Sequence, residues 1–92
     1  MLLEHKVALI TGSGRGIGRA MAKLFAKEGA AVFLTARTEK EIAAVAQEIA
    51  ADGGKAGFAT ADLTQVADCE RVFAAAVKQF GRVDILVNNA GH

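Results

Sequence analysis

Glycine occupies every second position from Gly12 to Gly18 in the stretch Lys6 to Arg19, KVALITGSGRGIGR. The chemistry open to such a stretch is the holding of a phosphate. Glycine reaches positive φ at little steric cost and puts no Cβ between the backbone and a ligand. An apolar run, Val7 to Ile10, leads into the turn. A helical stripe, Ile17, Ala20, Met21, Leu24 and Phe25, leads out of it. Strand, glycine turn and helix in that order bring unpaired N–H groups and the positive end of a helix dipole to one place. A nucleotide pyrophosphate needs that arrangement. The candidate contacts are Gly12, Ser13, Gly14, Arg15, Gly16, Ile17 and Gly18.

Spacing narrows the type of nucleotide. The strict dinucleotide fingerprint sets glycines at offsets 0, 2 and 5, and here the third place is Ile17 or Arg19. Offsets 0, 4 and 6 fit instead, as Gly12, Gly16 and Gly18 preceded by Thr11. An NTPase phosphate loop ends in Gly-Lys-Ser/Thr, whereas Gly18 is followed by Arg19-Ala20.

Two arginines extend the site. Arg15 lies inside the turn, and Arg37 follows the second apolar run, Ala31 to Leu34. In a dinucleotide fold the end of the second strand faces the adenosine ribose, and an acidic residue there binds the 2′-hydroxyl. Ala36-Arg37 stands at that place, and Glu39 falls in the following helical turn. Paired guanidinium groups suit a 2′-phosphate, through bidentate charge-assisted bonds. The cofactor expected is therefore NADP(H), ahead of NAD(H). The bland alternative is a pair of solvated arginines. Asp62 follows the third apolar run. It either accepts from an adenine amino group or begins a turn, and spacing does not choose. Asn88 and Asn89 either tie neighbouring loops or are turn chemistry alone.

The positioning elements follow from periodicity. Val7 to Thr11, Ala31 to Leu34, Ala56 to Ala61 and Ile85 to Val87 read as strands. Ile17 to Glu28, a stretch after Thr38, and one after Thr64 read as helices, ended at Gly29, at Asp52-Gly53-Gly54 and at Gly81. Thr38 with Glu41 has the spacing of a capping box, and Thr64 is the expected cap of the third helix. Cys69 falls on the apolar stripe of that helix and is expected to be buried. Strands alternating with helices predict an α/β fold, a partial doubly wound parallel sheet of the Rossmann type (βαβαβαβ) with strand order 3-2-1-4. The ligand crevice then lies between strands 1 and 4.

Thr11-Gly12 with Gly16 and Gly18, then Asp62, then Asn-Asn-Ala-Gly at Asn88 to Gly91, resemble the short-chain dehydrogenase/reductase family in order and approximate spacing. The resemblance covers essentially the whole chain and is nearest to NADP(H)-using members such as 3-oxoacyl-carrier-protein reductases. It implies a carbonyl/alcohol oxidoreductase with these roles: Gly12 to Gly18 on the pyrophosphate, Arg15 and Arg37 on the 2′-phosphate, Asp62 and the Leu63 backbone on adenine. Asn89, Ala90 and Gly91 would line the adenosine ribose side and brace the sheet. The family also implies a homo-oligomer for the full-length protein. Its catalysis uses a serine and a Tyr-x-x-x-Lys arrangement. The chain has no tyrosine, and its one serine is Ser13. Residues 1–92 are thus expected to be the dinucleotide-binding part without the catalytic segment, inactive alone, with no catalytic residue and no metal ligand assigned. His5 and His92 are expected to be solvated.

Composition bounds the rest. Ninety-two residues make at most one small domain. The apolar share of 52% and the absence of proline exclude a disordered or collagen-like chain. A net charge of +1 gives no bulk electrostatic case for nucleic acid or an acidic membrane. The single cysteine cannot form an internal disulfide, which fits a reducing compartment. No apolar run has membrane-spanning length, and Glu4-His5-Lys6 interrupts any leader pattern. The expected location is the cytoplasm. Two other readings share the glycine turn. One is a stand-alone nucleotide-binding module, against which an uncharged edge at strand 4 counts. The other is an S-adenosylmethionine-binding fragment, which has no use for two arginines beside a ribose phosphate.

Overall fold

In the computed structural model, which describes residues 2–89, the most apolar run becomes the centre of the sheet. Every residue of β1 (Val7–Thr11) is buried. A strand covered on both faces reads as a continuous apolar run rather than an alternating one. β2 (Ala31–Ala36) pairs with it on one side and β4 (Ile85–Val87) on the other; β3 (Lys55–Thr60) lies outside β2. All three pairings are parallel and the order is β3-β2-β1-β4, as the alternation of elements predicts.

Alternate side chains of the strands feed two cores. Ala8, Ile10, Val32 and Leu34 pack with Ala22 of α1 (Gly16–Lys27) and with Ile42, Val45 and Ile49 of α2 (Glu39–Ala51). Leu9 and Phe33 point the other way, onto Val72 and Ala76 of α3 (Val66–Phe80). The helices therefore cover both faces of the sheet. Each large side chain so buried contributes about 1.5–3 kcal/mol. Gly29 and Gly81 end α1 and α3 in left-handed backbone, with φ of 99° and 88°.

Four local expectations are corrected. Thr38 is the N-cap of α2, but its side chain makes no capping hydrogen bond. Glu41 lies across Gly14 instead of reaching back to Thr38. The N-cap of α3 is Gln65, not Thr64, because the Thr64 hydroxyl donates to Asp62 Oδ1 at 2.6 Å. β3 begins one residue earlier than its apolar run and leaves Ala61 in the connection. Cys69 is exposed, its thiol directed at the Leu63 carbonyl at 3.4 Å. Among the described residues α3 is alone on its face of the sheet. It buries only Val72 and Ala76, while Phe73 and Val66 stay open, as does Leu86 of β4.

Candidate dinucleotide-binding site

The carboxyl ends of β1, β2 and β4 carry the predicted residues to one edge of the sheet. At Gly12 and Gly16 the backbone has φ of 62°, the left-handed region that favours glycine. Gly18 is required for a different reason. A Cβ there would collide with the Gly12 carbonyl and stand 2.7 Å from Asn89 Nδ2. The first turn of α1 is thereby drawn against both the glycine turn and the end of β4. The N-cap, Arg15, makes no side-chain capping bond, and no acidic residue lies in the first turn. The positive end of α1 therefore has no counter-charge from its own first turn; the nearby carboxylate is that of Glu41, which lies against Gly14.

Ser13 is fully buried and works toward β2. Its N–H and hydroxyl donate to the Thr35 carbonyl at 3.3 and 3.4 Å, and its oxygen accepts the Thr35 N–H at 3.1 Å. Its hydroxyl proton is thus committed to anchoring the turn. Ile17 keeps an exposed side chain at the mouth of the turn.

A cleft of about 480 Å³ joins the turn to the end of β2. Gly12, Gly14, Arg15, Ala36, Arg37 and Leu63 line it, with Thr38, Glu41, Ala61 and Thr64. The two arginines expected to converge do share this cleft. Each also has a carboxylate neighbour: Arg15 Nη1 lies 4.0 Å from Glu41, and Arg37 Nη2 lies 3.3 Å from Asp62 Oδ1. The guanidinium groups are largely exposed, and exposed pairs of this kind are weak, so an entering phosphate competes with modest attractions. Asp62 makes the turn that spacing left open, accepting from the Thr64 N–H and hydroxyl through Oδ1. Those Thr64 bonds, with Arg37 beside them, hold its carboxyl below the usual aspartate value. Among the described residues Oδ2 of Asp62 accepts no hydrogen bond, so the same carboxylate keeps a face for a second donor.

Asn88 and Asn89 are more than turn chemistry. Thr11 Oγ1 accepts the Asn89 N–H at 2.8 Å. Its own proton is shared between the Val87 carbonyl and Asn88 Oδ1, at 3.3 and 3.2 Å. With the Asn89 side chain against Gly18, this fastens β1, β4 and α1 at the edge of the crevice. Ala90, Gly91 and His92 lie outside the described residues. Sequence reasoning treated Thr11 only as a letter of the motif. The available signal was a hydroxyl at the last position of a buried strand, where an unpaired oxygen is costly. The spacing of Glu41 suggests a cap, and nothing in it points into the cleft. Among the described residues no group of three His, Cys, Asp or Glu side chains could hold a metal ion. No helix there is long and apolar enough to cross a membrane.

The cradle fits one end of a dinucleotide: open space at Gly16, a helix start without a side-chain cap, and two arginines in one cleft. The family model for short chain dehydrogenase matches residues 6–92. An uncharacterised oxidoreductase of Methylorubrum extorquens is 50% identical over 97% of this chain and 36% of its own length. An A-factor type gamma-butyrolactone 1′-reductase of Streptomyces virginiae is 44% identical over 99% of this chain and 35% of its own length. The crystal structure of a metagenomic short-chain oxidoreductase in complex with NADP superposes with a TM-score of 0.94 at 40% identity, covering 100% of this chain and 42% of that one. The chain spans about a third of the length of the curated relatives it matches.

Proposed function

This chain belongs to the short-chain dehydrogenase family, and on that premise we propose that residues 1–92 are the NADP(H)-binding part of an oxidoreductase acting on a carbonyl/alcohol pair. The observation that carries the reading is the single cleft that joins the glycine turn to Arg15 and Arg37, with Ala36 rather than a carboxylate ending β2. When bound, the cofactor supplies or accepts a hydride. The work of this chain is to bind and orient it. Gly12, Gly14, Gly16 and Gly18 give the pyrophosphate access to backbone N–H groups, beside Ser13 and Ile17. Arg15 and Arg37 pair with the 2′-phosphate. Asp62 Oδ2 and the Leu63 backbone take the adenine edge. Asn89, Ala90 and Gly91 border the adenosine ribose side. The relatives extend well beyond the stretch they share with this chain, and the groups that move the proton are assigned to such further sequence.

The exposed Val66, Phe73 and Leu86 support further chain, or further copies in a homo-oligomer, covering the α3 face. The lone thiol of Cys69 suits a cytoplasmic setting.

Hydrogen exchange of the intact protein with and without NADP+ tests the site. Protection is expected at positions 12–19 and 36–38. The opposite end of the sheet, at positions 52–55, is expected to stay unchanged. Protection confined to that opposite end, or absent from the glycine turn, would refute the placement.

A further inference from the structure

One carboxylate in the cleft has no part in this scheme. Glu41 stands in the first turn of α2 and lines the cleft with Arg15, Arg37 and Thr38. Its position is held by packing on Gly14: a Cβ added there would meet Glu41 Cβ at 2.9 Å and Oε1 at 3.0 Å. Among the described residues its carboxylate has one partner, Arg15 Nη1, at 4.0 Å from Oε2. That is beyond hydrogen-bond reach, so the carboxylate is close to Arg15 without being tied to it. Asp62, the other acid at the cleft, differs. Thr64 holds it with two donors at 3.0 and 2.6 Å, and it meets Arg37 from outside the lining.

We propose that Glu41 determines specificity by competing, from within the protein, for the place of the 2′-phosphate. The proposal rests on the NADP(H) reading of the same cleft. A phosphate entering between Arg15 and Arg37 brings close to two negative charges toward a carboxylate already attracted to Arg15. Either the two anions share the cleft and repel, or Glu41 turns outward and gives up Arg15. Both routes weaken binding of the phosphate-bearing ligand alone. A ligand that ends in a plain 2′-hydroxyl meets no such opposition. Glu41 therefore narrows the margin by which the arginines favour NADP(H), from a Cβ seated close to Gly14.

The probes are 2′,5′-ADP and 5′-AMP, which carry the adenosine end with and without the 2′-phosphate. Both are titrated into the intact protein and into its Glu41→Gln and Arg37→Ala variants, at low and high salt. Glu41→Gln should tighten 2′,5′-ADP by about fivefold at low salt, as expected for removing one like charge at close range across a partly solvated gap. The gain should shrink at high salt, and 5′-AMP should not change. Equal tightening of both probes, no tightening, or weaker 2′,5′-ADP binding overturns the proposal; the last outcome would make Glu41 a positioning residue for Arg15. A different pattern separates failure of the underlying reading. If the unaltered protein binds both probes alike and Arg37→Ala changes neither, the cleft is not a 2′-phosphate site, and the proposal falls with it.

Discussion

Two glycines show how one residue type serves different physical ends. Gly18 is excluded from carrying a Cβ by rigid atoms, chiefly the Gly12 carbonyl. At Gly57 in β3 the nearest atoms belong to the end of the flexible Gln79 side chain, which can rotate away. Gly18→Ala should therefore cost about 2 kcal/mol or more, since backbone must shift. Gly57→Ala should stay within about 1 kcal/mol of the wild type, because alanine loses less chain entropy on folding. Urea denaturation of both variants in the intact protein checks the contrast, and equal losses would contradict it. At this scale the glycines and arginines were legible from spacing, because backbone access and fixed positive charge depend on residue type alone. The commitment of Ser13 to Thr35 was not, since it is made to a residue far along the chain. Nor was the exposure of Cys69 legible: periodicity favours its burial, but among the described residues α3 has no neighbouring helix on its face of the sheet.

Between elements, the opposite end of the sheet is held by one carboxylate. Asp84 Oδ2 accepts the Val7 N–H at 2.8 Å, at the start of β1, and the Arg82 Nε–H at 2.9 Å. Arg82 Nη2 in turn donates to the His5 carbonyl at 2.8 Å. The Val7 bond first, and Arg82 second, hold the Asp84 carboxyl below its usual value. A carboxyl lowered on folding stabilises the fold above its unfolded pKa, and that contribution is lost as pH falls through the folded one. Asp84→Asn should therefore melt below the wild type at neutral pH. The gap should close as pH falls below the ordinary aspartate value of about 3.9. Melting curves across that range test this, and a gap that stays constant into acid would show that charge is not the cause. Element types and order were readable because period 2 and period 3.6 differ over runs of this length. Helix starts were less so. Thr64 and Thr38 both have cap-like spacing, yet Asp62 holds the first, and Glu41 packs away from the second.

For the molecule as a whole, the order β3-β2-β1-β4 brings the ends of β1 and β4 together, and Thr11, Asn89 and Gly18 lock them. That topology followed from alternating elements, and it is why residues far apart in sequence share one crevice. The electrostatics within the cleft were only half visible. Both arginines could be placed by position, but their partners Glu41 and Asp62 come from separate elements that fold beside them. The central claim, that this cleft is built for a 2′-phosphate, is tested most directly by titrating NADP+ and NAD+ into the intact protein and its Arg37→Ala variant. A lost bond to a charged group corresponds to a loss of about tenfold to a hundredfold in NADP+ affinity, with NAD+ affinity nearly unchanged. Pairing Arg37→Ala with Ala36→Asp should reverse the preference, since the new carboxylate attracts a 2′-hydroxyl and repels a phosphate. Equal weakening of both cofactors by Arg37→Ala, or of neither, would contradict the account.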